Sequence, residues 1–275
     1  MKDMQLVNRV FSRKTLDECI KYGDCKIFKK AADKCLDDYN SNENGLQQLY
    51  ELLRKCYRSE YYYKNILLNK LLLGRHSLRT TAALSELPVA RSKADFVLIN
   101  GRPVVYEIKT ELDNFNRLNT QLGDYYKAFG VVEVVTSESN CESVCSLLAD
   151  SSAGILVLNS KDRLSRIRKP MENYASLDSA VIFDILRKNE YEAIIQEICG
   201  TLPNVSEFEK YRACKALFAT FSMKEIYPKF VLALKKRQKV DENLFKDIPY
   251  ELKALAYFNN MSKSDYGKLR VFLDT

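Results

Sequence analysis

The chain has 275 residues with no tryptophan, one histidine, six prolines and nine glycines. The single histidine, His76, sits in the basic segment GRHSLR with no nucleophile motif around it. A multi-histidine metal site is therefore excluded, and Ser-His and Cys-His catalysis are set aside. The eight cysteines include no C-x-x-C pair, so zinc-ligand spacing is also missing, and the thiols are read as reduced and mostly buried. There is no low-complexity tract and no internal repeat. Apolar runs are short as well: the greasiest, ILLNKLLLG, is broken by Asn69 and Lys70 and falls well below the roughly 18 residues of a membrane span. The opening MKDMQLVNRVF carries no secretory h-region. These absences lead us to expect a cytoplasmic protein with no membrane segment. Hydrolytic chemistry in such a chain would need carboxylates and a metal.

What is present is an ordinary globular composition, 46% apolar and 29% charged, enough for a core and for one or two domains. The formal net charge of +7 is compatible with phosphate-rich partners without requiring them. Over the first sixty residues apolar positions recur at helical spacing: Leu16, Cys19 and Ile20, then Phe28, Ala31, Ala32 and Cys35, then Leu46, Leu49 and Leu53. A further helix is expected from Ser59 to Leu73, with Ser59 as N-cap and Gly74 as left-handed C-cap. The period then changes. ADFVLINGRPVVYEIK, residues 94–109, reads as two strands joined by Asn100-Gly101, the strongest short hairpin signal. Leu118, Leu122, Tyr125 and Phe129 mark a helix, 131–135 a strand, 140–149 a helix, 154–158 a buried strand, and 164–169 an edge strand. From Leu177 onward the pattern is helical again, at 178–188, 190–199, 205–221, 223–237 and 243–259, punctuated by Pro203, Pro228 and Pro249.

One group of residues in the hairpin carries chemistry. Magnesium takes hard oxygen ligands, typically one or two carboxylates, and leaves positions for water and phosphate. Asp95 heads the first strand of the hairpin, and Glu107 lies near the end of the second. A bent or twisted hairpin would bring the two together. Lys109, two residues past Glu107, points to the same face of its strand. Its ammonium could lower the pKa of an attacking water, hold that water in line, or stabilise the pentavalent phosphate. Acidic-x-Lys triplets also occur at Asp24-Cys25-Lys26 and Glu251-Leu252-Lys253, both in helical surroundings. Strand context separates the 107–109 triplet from them.

Asp95 followed across a hairpin by Glu107-Ile108-Lys109 resembles the bipartite motif of the PD-(D/E)XK nuclease superfamily, with Lys93-Ala94 in place of the Pro. The order helix, three-stranded meander, helix, strand from Glu60 through Val135 is similar to that superfamily over about a third of the chain. EYYYKN, SELPV and RLNTQL add likeness to a bacterial and phage branch of it. Gln121 and Tyr125, a Q-x-x-x-Y spacing on one helical face, resemble the accessory motif of RecB-like members. The resemblance implies an α/β (α+β) restriction-endonuclease-like core, a small mixed sheet flanked by helices, over residues 59–170, with helical regions at 1–58 and 171–275. It implies Asp95 and Glu107 as ligands of Mg²⁺ or Mn²⁺ and Lys109 as the assisting cation. Gln121 would orient water or Lys109, and Tyr125 would contact phosphate. Glu60 would be an additional acidic catalytic residue, with Glu86 competing for that role.

The expected function is metal-dependent hydrolysis of DNA, with RNA as a second substrate candidate and a homodimer as a compatible assembly. Arg75, Arg79, Arg91, Arg166 and Arg168 are the candidate nucleic-acid-binding residues, those nearest the hairpin being the better ones, although charges of this kind more commonly form solvated faces. Lys235-Lys236-Arg237 is a further basic run, and the aromatic residues of the C-terminal third are expected to pack rather than to stack on bases. Two rivals are a catalytically silent nucleic-acid- or protein-binding module on the same fold, and a helical regulatory protein in which the α/β segment merely packs.

Overall fold

The computed structural model describes residues 2–74, 76–238 and 240–275 and divides them into two units. One is helical and discontinuous, built from Met1–Leu78 and Lys239–Thr275; the other is the continuous segment Arg79–Gln238. These boundaries fall elsewhere than the changes in sequence period near 58 and 170.

The helical unit begins with α1 (Lys2–Val10), α2 (Arg13–Tyr22), α3 (Lys26–Cys35), α4 (Asn42–Cys56) and α5 (Glu60–Leu67). Serines start three of these helices: Ser12, Ser41 and Ser59 each accept a backbone N–H from the first turn, satisfying a donor that a helix end leaves open. The helix expected to run to Leu73 does so, but its last six residues, Leu68–Leu73, form a π-helical turn. Gly74 is not left-handed, with φ at −82°. Its glycine is required for a different reason, because a Cβ there would lie 2.9 Å from the Lys70 carbonyl oxygen.

In the second unit, strands β1 (Ala82–Val89), β2 (Ser92–Asn100), β3 (Arg102–Lys109), β4 (Val132–Ser137), β5 (Gly154–Leu158) and β6 (Leu164–Arg168) form one open mixed sheet in sequence order. The pairs β1–β2, β2–β3 and β5–β6 are antiparallel, whereas β3–β4 and β4–β5 are parallel. The expected hairpin is present, with Gly101 at φ +72° in its turn. The parallel pairs need crossovers, which α6 (Leu118–Tyr125) and α7 (Cys141–Leu147) supply. Four more helices follow: α8 (Ser179–Ile185), α9 (Lys188–Cys199), α10 (Glu207–Phe218) and α11 (Met223–Lys235). Pro228 lies inside α11 instead of ending it. A capping box between Ser222 and Glu225 and the buried stripe Ile226, Phe230, Leu234 carry the helix past the lost N–H.

One sheet face presents Val97, Ile99, Val105, Val132, Val134, Ile155 and Val157 to a core shared with Leu118, Leu122, Phe183, Phe218 and Phe230 from the helices. Phe96, Leu98, Tyr106 and Leu156 are buried on the opposite face. The fold is thus mixed α and β, as expected. The chain closes with α12 (Glu242–Lys246), α13 (Lys253–Phe258) and α14 (Lys263–Asp274), which belong to the helical unit. There the Asn42 amide donates to the Phe272 carbonyl at 2.8 Å, and buried Asn65 bonds Tyr50 Oη, the Tyr250 carbonyl and the Ala254 N–H. All eight cysteines are free. Among the described residues no helix is long and apolar enough to cross a membrane.

Candidate active site

The β2–β3 register runs up to Phe96↔Tyr106, and continuing it by one residue sets Asp95 opposite Glu107. At that point a side chain takes over from the backbone ladder: the Ile108 N–H donates to Asp95 Oδ2 at 2.8 Å. A strong bend of the hairpin is unnecessary, because directly opposed residues share a sheet face and lie within about 5.5 Å of each other at Cβ. The same row extends to β1. Ser85↔Phe96 and Leu87↔Ala94 flank Glu86, whose φ of +54° interrupts the pairing opposite Asp95. Carboxylate oxygens of Glu86 and Asp95 approach within 4.8 Å. Glu86 Oε2 also lies 3.2 Å from Lys93 Nζ. Three carboxylates therefore line up across three adjacent strands.

Glu107 and Lys109 share the face that also carries Val105 and packs against α6, so both side chains meet that helix. Lys109 Nζ lies 2.8 Å from Glu107 Oε1 and donates to Gln121 Oε1 at 3.0 Å. Glu107 is 1% exposed, and a buried carboxylate requires such a partner. Its second oxygen, Oε2, accepts from Tyr125 Oη at 2.6 Å, and the Lys93 carbonyl lies 2.8 Å from the same phenol. Burial first, and then the Glu107 charge, push the Tyr125 phenol well above its ordinary range, so it remains a protonated donor. The i, i+4 spacing of Gln121 and Tyr125 thus grips the Glu107–Lys109 pair from one helical face. Tyr125 is fully buried and turned onto Glu107, not outward toward a phosphate.

Neighbouring groups fix the frame. The Thr136 hydroxyl donates to the Lys109 carbonyl at 3.0 Å, and the Asn140 amide to the Thr110 carbonyl at 2.9 Å. Asp124, next to Tyr125 on α6, accepts from Ser92 Oγ and Lys127 Nζ, both at 2.8 Å. Burial would raise the Asp124 carboxyl, but these bonds outweigh it and hold the group below its usual range. Ser92 and Lys93 open β2, so Asp124 and Tyr125 both tie that strand to α6.

The remaining sequence-derived residues have distinct placements. Glu60 lies in the helical unit, in the first turn of α5, with Oε1 2.5 Å from Lys64 Nζ. Arg166 makes a two-pronged contact with buried Glu133, at 3.0 and 2.9 Å. That contact raises its pKa further. Arg168 donates to the Ala153 and Leu148 carbonyls. Both arginines therefore hold the sheet edge together. Arg79 and Arg91 are exposed in the turns before β1 and β2. Arg75 lies outside the described residues. Glu86 completes the row, but its position depends on a positive φ at a non-glycine residue, which no spacing in SELPV announces.

No curated protein and no solved structure gives a significant match to the chain. A family described as Bacteriophage P4 protein cII does match, over residues 54–257, a stretch containing the whole sheet, α6 and the carboxylate row. That stretch is well over half of the 275 residues, and the chain therefore belongs to the bacteriophage P4 protein cII family.

Proposed function

We propose that the protein is a divalent-metal-dependent nuclease of the PD-(D/E)XK type that hydrolyses phosphodiester bonds of DNA. The observation that carries this reading is the joint placement of Asp95, Glu107 and Lys109 at one end of the β2–β3 hairpin, with Gln121 and Tyr125 closing on the last two. The donors suit the ion: carboxylate oxygens only, without thiol or imidazole, are what Mg²⁺ or Mn²⁺ prefers. Asp95 and Glu107 would hold it, with Glu86 in reach of Asp95 as a further oxygen ligand. When bound, such a cation supplies phosphate charge neutralisation and makes a water nucleophilic near neutral pH.

The chain's own groups supply the rest. Lys109, oriented by Gln121 and Glu107, presents an ammonium that places the attacking water and stabilises charge building on the phosphoryl oxygens. The water gives up a proton to bulk solvent as its oxygen bonds to phosphorus, the ester P–O bond breaks, and the departing oxygen takes up a proton from solvent. Tyr125 keeps Glu107 in one orientation throughout.

The test is cleavage of linear, circular and single-stranded DNA with and without Mg²⁺ or Mn²⁺, wild type against Lys109→Ala. Metal-dependent cleavage lost in the variant is expected, as is a metal-induced rise in Tm that Asp95→Ala abolishes. Salt-sensitive, metal-independent binding without cleavage of any nucleic acid would instead assign the chain to the silent binding-module class.

A further inference from the structure

The segment joining β3 to α6 leaves the candidate site directly after Lys109 and carries an apolar side chain into solvent. Leu112 is 73% exposed. Isolated exposed leucines are common and usually need no explanation. This one differs in how firmly its backbone is held. Asp113 Oδ2 accepts both the Thr110 N–H and the Thr110 hydroxyl at 2.8 Å. The Leu112 N–H points to Thr110 Oγ1 at 3.4 Å, and the Asp113 N–H to the Thr110 carbonyl at 3.3 Å. Asn140 of the β4–α7 junction fixes the same carbonyl from outside the loop. At the far end, Phe115 packs against the core and anchors the approach to α6. The loop is thus held at both ends while the side chain at its tip is exposed.

Three residues past Lys109, Leu112 lies within about 10 Å of it along the chain. That is two or three base steps of about 3.4 Å from a phosphate seated at Lys109. The chemistry of the tip selects what it meets. Glu111 and Asp113 flank Leu112 and repel phosphate, so the surface it suits is a base or base pair. An unpaired base would be matched by an aromatic platform. The aromatic residue of this loop, Phe115, is turned inward, and an aliphatic side chain is at the tip, the type that separates stacked base pairs.

We infer that Leu112 is a wedge that unstacks the terminal base pair of duplex DNA bound at the Asp95–Lys109 site, which makes a duplex end the substrate of that site. This inference rests on the nuclease reading, and two measurements separate their failures. In the first, wild type and Leu112→Ala cleave a blunt duplex and its single strand side by side. The ratio of duplex to single-strand cleavage is expected to fall about tenfold or more in Leu112→Ala, since unstacking costs a few kcal/mol per step. Ile167→Ala, a loss of exposed apolar surface on β6, should leave the ratio unchanged. An unaltered ratio in Leu112→Ala overturns the wedge while the nuclease reading stands. The second measurement does not depend on cleavage. Lys109→Ala protein is mixed with a duplex carrying 2-aminopurine in its terminal pair, and fluorescence should rise through unstacking, with the rise lost when Leu112→Ala is added. Absence of cleavage by wild type removes the nuclease reading, and the fluorescence alone then decides whether Leu112 opens a duplex end; no rise overturns the wedge.

Discussion

At the residue scale, the site is a set of mutually dependent contacts whose single changes have unequal consequences. Tyr125→Phe removes one oxygen atom and leaves the ring packing intact. Glu107 Oε2 then loses a 2.6 Å donor while remaining 1% exposed. A buried charged acceptor deprived of its donor costs about 1–3 kcal/mol, readable as a lower urea midpoint with unchanged m. Under the proposed nuclease reading, in which Glu107 would hold the metal, the same change frees Glu107 to rotate, and cleavage should fall about ten- to hundredfold. Unchanged stability and unchanged rate together would remove Tyr125 from the candidate site. The hairpin residues were legible in the sequence because Asn100-Gly101 sets the register and period two sets the face. Gln121 and Tyr125 were legible because helical spacing is as regular. The inward turn of the phenol onto Glu107 was not, because nothing in Q-x-x-x-Y announces it; Glu86, readable as a rival to Glu60, joins the row through a left-handed backbone that no spacing predicts.

At the element scale, charged residues that read as surface features from sequence serve as fasteners. Arg237, last in the run Lys235-Lys236-Arg237, is not a solvated cation. It contacts Glu190 at the start of α9 through Nε at 2.8 Å and Nη2 at 2.5 Å, and it donates to the Ile185 carbonyl at the end of α8. Burial raises the Glu190 carboxyl, but the Arg237 bonds and the Arg187 N–H outweigh that and place it below its ordinary 4.5. A depressed folded-state pKa stabilises the fold fully above the unfolded value and is lost as pH falls through the folded one. This pair should therefore hold α9 and α11 together at neutral pH and release them in acid, as pH falls through the depressed folded-state pKa of Glu190. Arg237→Ala leaves a buried carboxylate with only the capping N–H, at a cost of about 3 kcal/mol at pH 7. The gap between variant and wild type should shrink in strong acid, as urea midpoints across the pH range would record. A gap independent of pH would assign the arginine's contribution to packing alone. Among the strands, β1 has the weakest sequence signal. AALSELPV has small residues, a break at Glu86 and Pro88, and only its edge position makes a proline tolerable there. α14 lies beyond the helical segments legible in the sequence, because Gly267 dilutes a helical pattern that its Ser262–Asp265 capping box and packing restore.

At the scale of the whole molecule, the α/β unit is inserted in a helical one. Sequence periodicity divides the chain where helical patterns give way to strands, but contacts divide it where segments stop sharing a core. α8–α11 share the sheet's core in Arg79–Gln238 despite their helical period, and α12–α14 return to the N-terminal helices. That return is carried by specific groups: Phe272 packs edge-on to Phe28 and accepts from Asn42, the Ala254 N–H reaches Asn65, and Tyr61 donates to the Glu251 carbonyl. A protein ending at Gln238 would leave Asn65 without the Ala254 N–H and the Tyr250 carbonyl, and would expose Phe28, which is 1% exposed in the full chain. The N-terminal helices are each 8 to 15 residues long, and helices of that length are marginal once tertiary packing is lost. Hydrogen exchange on the truncated protein should therefore show residues 3–73 losing protection, while the sheet core around Val105, Val132 and Val134 retains it. Equal loss in both segments would mean that the two units unfold as one, and the insertion would then be a feature of connectivity without consequence for stability.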